Sequence, residues 1–569
     1  MTHHSGGSQQ HWKLFQSFGL AQDVKPINVL AYLASSFVSV SSLVFISAST
    51  SFVLTAVIHL PVDRLGRTNG ALILLDELVA LPAVLVWGRL ADIYGYRAVT
   101  VIGHLAIGMS IYHRFVYFIK EEKQKSISLS IYIQSRMEYQ LFLSRVFLSM
   151  GFAALTTMLS TILASMTASR LPPPLPAVCE EPAGCVEEEA NLISRIKKRS
   201  LIVSQRSSRL SGLIGFTSGL GALFGGHVFF LRGWEVFVLL RLPPYFAGLS
   251  HSPVREGLAW GVRASFYVAS TIALITSVLM VFGLCRRGEN VWPIKTPSSD
   301  SPPVHWKKSL QGLTLGFKLV KQHRHLLVAY AAGFATRATT IGVTAYIPVY
   351  VNQYYISTHQ CQLERPDAPP EEVKKGCHAA FALASALTGT VQVGLLIDGT
   401  QQLCALLLSP VVGWTASVYP QPRMLAASNM LSAIGFIGFG LLPRPNHFLA
   451  WPICIILGLS QITGVVVSLS LCASCRWQLF HSQLAISRRP ETAPLIQTDP
   501  ASQRGRRPWQ EISGAIAGVY SLSGGLGILA GSFGGILSDS SPPAPFFLTA
   551  AIASFASLVC LVAGYPVDI

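Results

Sequence analysis

The sequence predicts an all-α integral membrane protein with twelve transmembrane helices in two six-helix halves, and three observations predict it. Charged residues make up 12% of the 569-residue chain and hydrophobic ones 51%, where a soluble domain carries about 25% charged residues. Apolar runs of spanning length recur from about residue 30 almost to the C-terminus. Parts of those runs repeat between the two halves. The composition excludes a cytosolic enzyme with a charged shell, a disordered chain and a secreted disulfide scaffold. The spread of apolar segments excludes a single-pass receptor.

A helix needs about 20 apolar residues to cross roughly 30 Å of hydrocarbon. The first half supplies such runs near 34–58, 70–90, 98–119, 139–166, 210–231 and 259–284. The second supplies them near 326–351, 379–416, 424–442, 448–472, 512–537 and 545–564. The polar stretch 285–325 separates an N-terminal half, 27–284, from a C-terminal half, 326–564; residues 1–26 and 565–569 are tails. The connections 167–205 and 473–510, rich in Pro, Ser and charge, read as flexible linkers. The run 379–416 is too long for one simple span. Residues 391–400 read as an insertion, because removing them leaves an ordinary length.

Forty-three Lys and Arg against 27 Asp and Glu leave a net charge of +16. In a soluble chain that suggests nucleic acid. Here the basic residues sit in connections such as 195–209 and 504–507 without interleaved aromatics, so they read as topology signals and contacts with anionic lipid, not as a nucleic-acid site. The first 25 residues lack the order of a cleaved signal peptide, which makes the first span an uncleaved anchor. Placing both termini in the cytoplasm puts the larger share of Lys and Arg on cytoplasmic segments. Plasma membrane and vacuolar membrane both stay open.

Shifted by 325 positions, the second span falls on the eighth: Asp76-Glu77-Leu78 meets Gln401-Gln402-Leu403, Ala80-Leu81 meets Ala405-Leu406, and Gly88 meets Gly413. An offset of 306 lays Gly219, Gly221 and Gly225 of the fifth span on Gly525, Gly527 and Gly531 of the eleventh. Equivalent spans in equivalent places are the parallel-repeat architecture of secondary transporters, with substrate bound between halves near the midplane. Gly215, Gly219, Gly221 and Gly225 read as one smooth helix face, either for static close packing or to let the halves rock.

Ionisable residues inside spans are the sharpest candidates, because burying one costs about 2.5–3.5 kcal/mol on insertion scales. Asp76 lies twelve residues from Gly88, roughly 18 Å along a helix and near the midplane. Glu77 follows at about 100° around that helix, so one of the two faces a cavity squarely. The pair reads either as a proton-coupling or substrate-cation site, or as structural pairing at a helix end. Arg145 and Arg337, one per half, read as binders of a carboxylate or anionic substrate, or as fixed ion pairs locking helices.

Gly88-Arg-Leu-Ala-Asp92-Ile-Tyr-Gly95-Tyr-Arg97 resembles the signature loop of the major facilitator superfamily. Arg145 with Gly151 is loosely similar to that superfamily's fourth-span region, and the fifth-span glycines resemble its antiporter motif without the usual proline. The acidic pair before Trp87-Gly88, Gly333-Phe-Ala-Thr-Arg337, Gly518-Val-Tyr-Ser-Leu-Ser-Gly-Gly-Leu-Gly and Ala544-Pro-Phe-Phe resemble a fungal group of these carriers most closely. The resemblance implies a twelve-helix fold in which Gly88 and Gly95 permit a tight turn, Asp92 caps a helix N-terminus of the other half, and Arg97 pairs with acidic groups. Ile93 and Tyr96 depart from basic positions of that loop, and Ser417 stands where its second-half counterpart would carry Asp.

Cys361 and Cys377 share an extracytoplasmic loop and are a candidate disulfide. Cys472 and Cys475 form a CxxC without a second pair, so no metal is expected. No P-loop and no embedded-enzyme motif occurs. The expected function is secondary transport of a small solute by alternating access, coupled to protons, with export or antiport favoured. Its expected partners are that solute, protons and membrane lipid, for a monomer without cofactor or enzymatic activity. The alternative is a non-transporting sensor of the same fold, signalling through its cytoplasmic loops.

Overall fold

Helix α1 (Pro26–Phe52), with its apolar stretch at Pro26–Ile46, begins before the run expected near 34–58. The reason lies in Asn28, which is buried at the helix start. Its side-chain amide donates to the carbonyls of Gly283 and Cys285, at 2.7 and 2.9 Å, and its Oδ1 accepts from the Lys25 amide. One polar residue thus satisfies carbonyls at the end of the helix Val254–Gly283 and fastens the two ends of the first half.

The computed structural model describes residues 24–52, 62–122, 132–167, 182–226, 254–285, 323–347, 400–486, 508–534 and 541–564, with a few positions between them. After α1 come α2 (Val62–Tyr94), α3 (Tyr96–Glu122), α4 (Tyr132–Thr167), α5 (Pro182–Gly226) and α6 (Val254–Gly283). A two-residue antiparallel ladder, β1 (Phe230–Leu231) with β2 (Trp234–Glu235), lies between α5 and α6. Then follow α7 (Arg324–Ile341), continued by a π-helical turn at Gly342–Tyr346, α8 (Thr400–Val418) and α9 (Gln421–Gly440). The chain ends with α10 (Ala450–Ile486), α11 (Pro508–Ser532) and α12 (Ala544–Gly564). Among the described residues, seven stretches, within α1, α4, α6, α7, α10, α11 and α12, are long and apolar enough to cross a membrane. On α12, Phe547, Phe555, Leu558, Leu561 and Val562 are exposed along the outer side, while Phe546, Ala550, Ala553 and Cys560 are buried. Apolar residues turned outward over whole helices need a hydrocarbon solvent. The chain is an integral membrane protein.

Two regions differ from the linkers expected at 167–205 and 473–510. Residues 182–205 belong to α5 and residues 473–486 to α10, so both helices run on beyond the apolar stretches. In α10 the extension is buried through Cys475, Arg476, Trp477 and Leu479, which explains why the helix does not stop where the apolar run does.

Within the first half α3 packs on α6, α3 on α4, α1 on α5, α2 on α4 and α1 on α6. Within the second, α9 packs on α12, α9 on α10, α7 on α11, α8 on α10 and α7 on α12. Each half has its own core, one around Tyr32, Met158, Ile162 and Leu210, the other around Leu326, Leu425, Val466 and Ile516. The halves meet where α2 packs on α11 and α5 on α8, with α4 and α10 completing the interface.

Both main seams are glycine contacts. A Cβ added at Gly88 would meet the Gly514 carbonyl and lie 3.1 Å from Gly518 Cα; one added at Gly413 would lie 2.8 Å from the Ser208 carbonyl and 2.7 Å from Gly212 Cα. Farther along, Gly525 would meet Leu81 at 2.8 Å and Gly219 would meet Leu406 at 3.1 Å. The offsets of 325 and 306 found in the sequence carry each α2–α11 contact onto an α5–α8 contact.

The glycines expected on one smooth face of α5 divide between two. Gly215 and Gly219 face α8, whereas Gly221 faces the Phe37 backbone of α1, because two residues turn a helix by about 200°. Gly525 and Gly527 divide in the same way, toward Leu81 of α2 and Phe334 of α7, and Gly531 faces Ala338. One glycine of each pair serves the half and the other serves the interface.

Gly413→Val should lower stability by about 2 kcal/mol or more, since its methyls would press on backbone that cannot yield. Gly95→Ala, at the positive-φ turn with open space around it, should cost only about 1–2 kcal/mol of backbone strain. Thermal unfolding of the two purified variants checks the order.

Candidate functional site

Asp76 and Glu77 are neighbours on α2 and look in different directions. Arg145 of α4 donates from Nε to both Asp76 oxygens, at 2.9 and 2.7 Å, and its Nη2 lies 2.7 Å from Oδ2. Ser149, one turn farther along α4, donates to the same carboxylate. Arg145 is buried, and its Nη1 has no hydrogen-bond partner. Asp76 and Arg145 therefore form an ion pair inside one half, joining α2 to α4.

Glu77 is half-buried and turns toward the other half. Its Oε2 lies 3.6 Å from where a Cβ would stand on Gly525 of α11. Arg337 of α7 is exposed although Thr336 and Ala338 beside it are buried. Its Cγ lies 3.2 Å from the corresponding point on Gly524. Of the charges around Glu77, Arg337 acts on it more strongly than Asp76 does. Two adjacent glycines of α11 thus leave room for a carboxylate from one half and a guanidinium from the other. Phe334, Thr340, Ile341 and Thr344 share the partly exposed side of α7 with Arg337. Gln401 and Gln402 lie in α8, with side chains outside the described residues.

Twelve positions after Asp76, Gly88 lies within α2 and not in a turn as expected; Gly95 alone separates α2 from α3, because the residues up to Tyr94 stay helical. Asp92 is buried there and accepts from the backbone amides of Gly514 and Ala515, at 2.6 and 3.0 Å. These amides lie inside α11 and not at its first turn, which begins at Pro508. The missing side chain of Gly514 is what admits the carboxylate: a Cβ there would stand 2.6 Å from Asp92 Oδ1. Arg89 lies 3.9 Å from Asp92. Gly95 has φ +91°, a conformation glycine adopts without strain. Arg97 donates to the Val281 carbonyl near the end of α6. That carbonyl lies in the last turn of a helix, where acceptors are left without an intrahelical donor.

At the equivalent place in the second half the polarity changes. Ser417 accepts from Arg209 Nε of α5 at 3.4 Å and donates to its own Trp414 carbonyl at 2.6 Å. Beside it, Gln421 donates to Ser208 and Ser470, at 2.7 and 3.0 Å, and Ser208 is also 3.0 Å from Ser470. This neutral network joins α5, α9 and α10.

Sequence reasoning missed Arg476. It sits in what reads as the opening of a cytoplasmic linker, where an arginine signals only topology. In the structure it is 1% exposed in α10, and it donates to Ser160 and Thr161 of α4. The apolar Trp477 and Leu479 just beyond it were the available sign that the helix continues. Cys472 and Cys475 are buried free thiols, and no cluster of metal-ligating residues occurs among the described residues. Cys361 and Cys377 lie outside the described residues, as does the insertion expected at 391–400 up to Thr400, where α8 starts.

The chain path is similar to that of solved transporters. A bacterial homologue of the iron transporter ferroportin, in an outward-facing state, matches at a TM-score of 0.54 and 12% identity, covering 94% of this chain and 99% of that one. FucP, a major facilitator superfamily transporter in the outward conformation, matches at a TM-score of 0.53 and 13% identity, covering 95% of this chain and 99% of that one. No protein-family model and no curated protein matches the sequence. At such identities the likeness is one of fold, and the fold is that of these transporters.

Asp76→Asn should destabilise the protein by about 3 kcal/mol, because it strands a buried guanidinium. Arg145→Gln should cost a similar amount, and the double variant should recover a large part of the loss. Unfolding of the two single variants and the double, treated as a double-mutant cycle, measures the coupling.

Proposed function

We propose that the chain is a twelve-span secondary transporter of a small solute, built from two six-helix halves that alternate access and coupled to protons. The observation that carries the proposal is that Glu77 and Arg337, from opposite halves, lie beside the adjacent glycines Gly525 and Gly524 of α11, each within electrostatic reach of the other though not in a direct salt bridge. A carboxyl at this depth is costly to hold charged unless a cation faces it. With Glu77 ionised, the attraction between the two favours the halves staying together here. A proton on Glu77 removes that attraction and frees the guanidinium for solute. Proton binding at Glu77 then favours solute binding at Arg337, which is the coupling of a symporter and departs from the export or antiport that the sequence reading favours.

The matched seams support the rocking motion. The same glycine contacts join α2 to α11 and α5 to α8, so a rotation about the interface can loosen both together. The excess of basic residues in the connections supports a reading in which the Asp92 end, and both termini, face the cytoplasm. In this orientation Asp92, Arg476 and the Gln421 network close the cytoplasmic end. A plasma or vacuolar membrane and a place among fungal carriers rest on the sequence resemblance. Asp76, bound to Arg145 and Ser149, is a positioning residue for α2 in this scheme, and Glu77 alone carries the proton.

Reconstitution in vesicles under an imposed pH gradient, screened over broad classes of solute, tests the proposal; no accumulation of any solute would count against it. Glu77→Gln should reduce pH-driven uphill movement to background while solute exchange at equal pH on both sides survives, since exchange needs alternating access but no net proton movement. Full pH-driven accumulation by this variant would remove Glu77 from the coupling role.

A further inference from the structure

Arg476 is a buried cation with no ion-pair partner among the described residues. Its Nη2 donates to Ser160 Oγ at 2.6 Å and to Cys472 Sγ at 3.5 Å, its Nη1 donates to Thr161 Oγ1 at 3.3 Å, and its Nε has no partner. The ion pairs among the described residues are Arg145 with Asp76 and Arg89 with Asp92, and neither includes it. The Asp92 charge acts in its direction, but the Asp92 oxygens are taken by Gly514 and Ala515. Among the described residues, the groups that hydrogen-bond the guanidinium are neutral, the hydroxyls of Ser160 and Thr161 and the thiol of Cys472, and Tyr32, Tyr330 and Tyr520 lie within reach of its charge.

Two hydroxyls do not require a charge. Gln at this position would bond them without carrying an uncompensated cation into a membrane helix. The hydroxyls are also already engaged, since Ser160 and Thr161 donate to the Thr157 carbonyl of their own helix and offer Arg476 only lone pairs. They shield the guanidinium without neutralising it. They also belong to α4, in the opposite half from α10, so any opening at the Asp92 end must draw them away. The guanidinium then faces the opening with five N–H donors and no acid beside it, in the fork geometry that takes a planar oxyanion by two bonds.

We infer that Arg476 is a binding site for a small oxyanion, of the carboxylate or phosphate class, entered from the Asp92 end when α4 and α10 part. The hydroxyls of Ser160 and Thr161 and the oxyanion compete for the same donors, so anion binding favours the form open at that end. The inference rests on the alternating-access reading. It is tested by binding alone, so its failure leaves the transport result to stand or fall separately.

The test uses the full chain purified in an uncharged detergent without anionic lipid. Thermal unfolding is followed against succinate, inorganic phosphate and chloride at matched ionic strength. Succinate, phosphate or both should raise the unfolding temperature saturably, and which of them does so identifies the class. Arg476→Gln should abolish the shift, and Arg476→Lys should weaken it. The double variant Ser160→Ala with Thr161→Val removes the competitors and keeps the guanidinium; it should tighten the apparent Kd by about tenfold, the worth of one or two neutral hydrogen bonds. This variant also decides the matter should Arg476→Gln fail to fold, because a purely structural arginine predicts no change in anion affinity. The inference is overturned if neither oxyanion gives a saturable shift, or if chloride gives an equal one. A shift that survives Arg476→Gln and disappears in Arg337→Gln overturns it as well.

Discussion

Helices in a bilayer gain nothing by hiding apolar surface from one another, because lipid is as apolar as they are, so close approach of backbone must hold the halves together. The contact of Gly88 with Gly514 and Gly518 meets that requirement and sets much else. The space left by Gly514 is the space the Asp92 carboxylate enters to reach two α11 amides. Packing and latch are therefore one feature, and neither can shift without the other. Eleven residues farther along α11, roughly 16 Å at helical rise, the same register brings Gly524 and Gly525 between Arg337 and Glu77. A slip of one residue at Asp92 would put a side chain where the charged pair needs room.

The second seam repeats the first in shape and departs from it in charge. Gly212 and Gly413 approach as closely, yet the residue equivalent to Asp92 is Ser417, which offers Arg209 a long hydrogen bond and no charge. A carboxylate bonding two amides makes charge-assisted bonds about twice as strong as neutral ones. The neutral contacts of Gln421, Ser208 and Ser470 supply on the second side what one carboxylate supplies on the first. One seam is thus held by a concentrated interaction and the other by several weak ones, and separation should begin where no single bond has to break.

Much of this was legible in the sequence, and what was not has physical causes. The two offsets locate contacts as well as helices, because glycine at a crossing is demanded by the neighbouring backbone and so recurs wherever the crossing recurs. The signature loop likewise announces Asp92, since its turn needs Gly95. The directions of Asp76 and Glu77 could not be read: helical spacing separates them by about 100° without saying which faces α4. Ser149, placed to donate to whatever Arg145 holds, was the only clue. Arg476 was hidden for a different reason. Composition ends a span where apolar residues thin out, whereas α10 ends where burial does, and these differ whenever a polar residue is covered by another helix.

Three arginines of the spans, Arg145, Arg337 and Arg476, are met in three ways, and their order follows from what surrounds each. Arg145 is bound by the Asp76 carboxylate, so a solute anion would have to displace a bidentate partner already in place. Arg337 faces Glu77 across the halves, and its availability changes with one proton. Arg476 meets hydroxyls and a thiol, which no change of protonation near neutral pH turns into counter-ions; only separation of α4 from α10 alters its surroundings. In the proposed mechanism a proton controls the cation at mid-depth, and conformation controls the cation at the Asp92 end. An anion moving between them would meet each arginine when the step before it had removed that arginine's partner, which is the order a coupled carrier needs to avoid an open path.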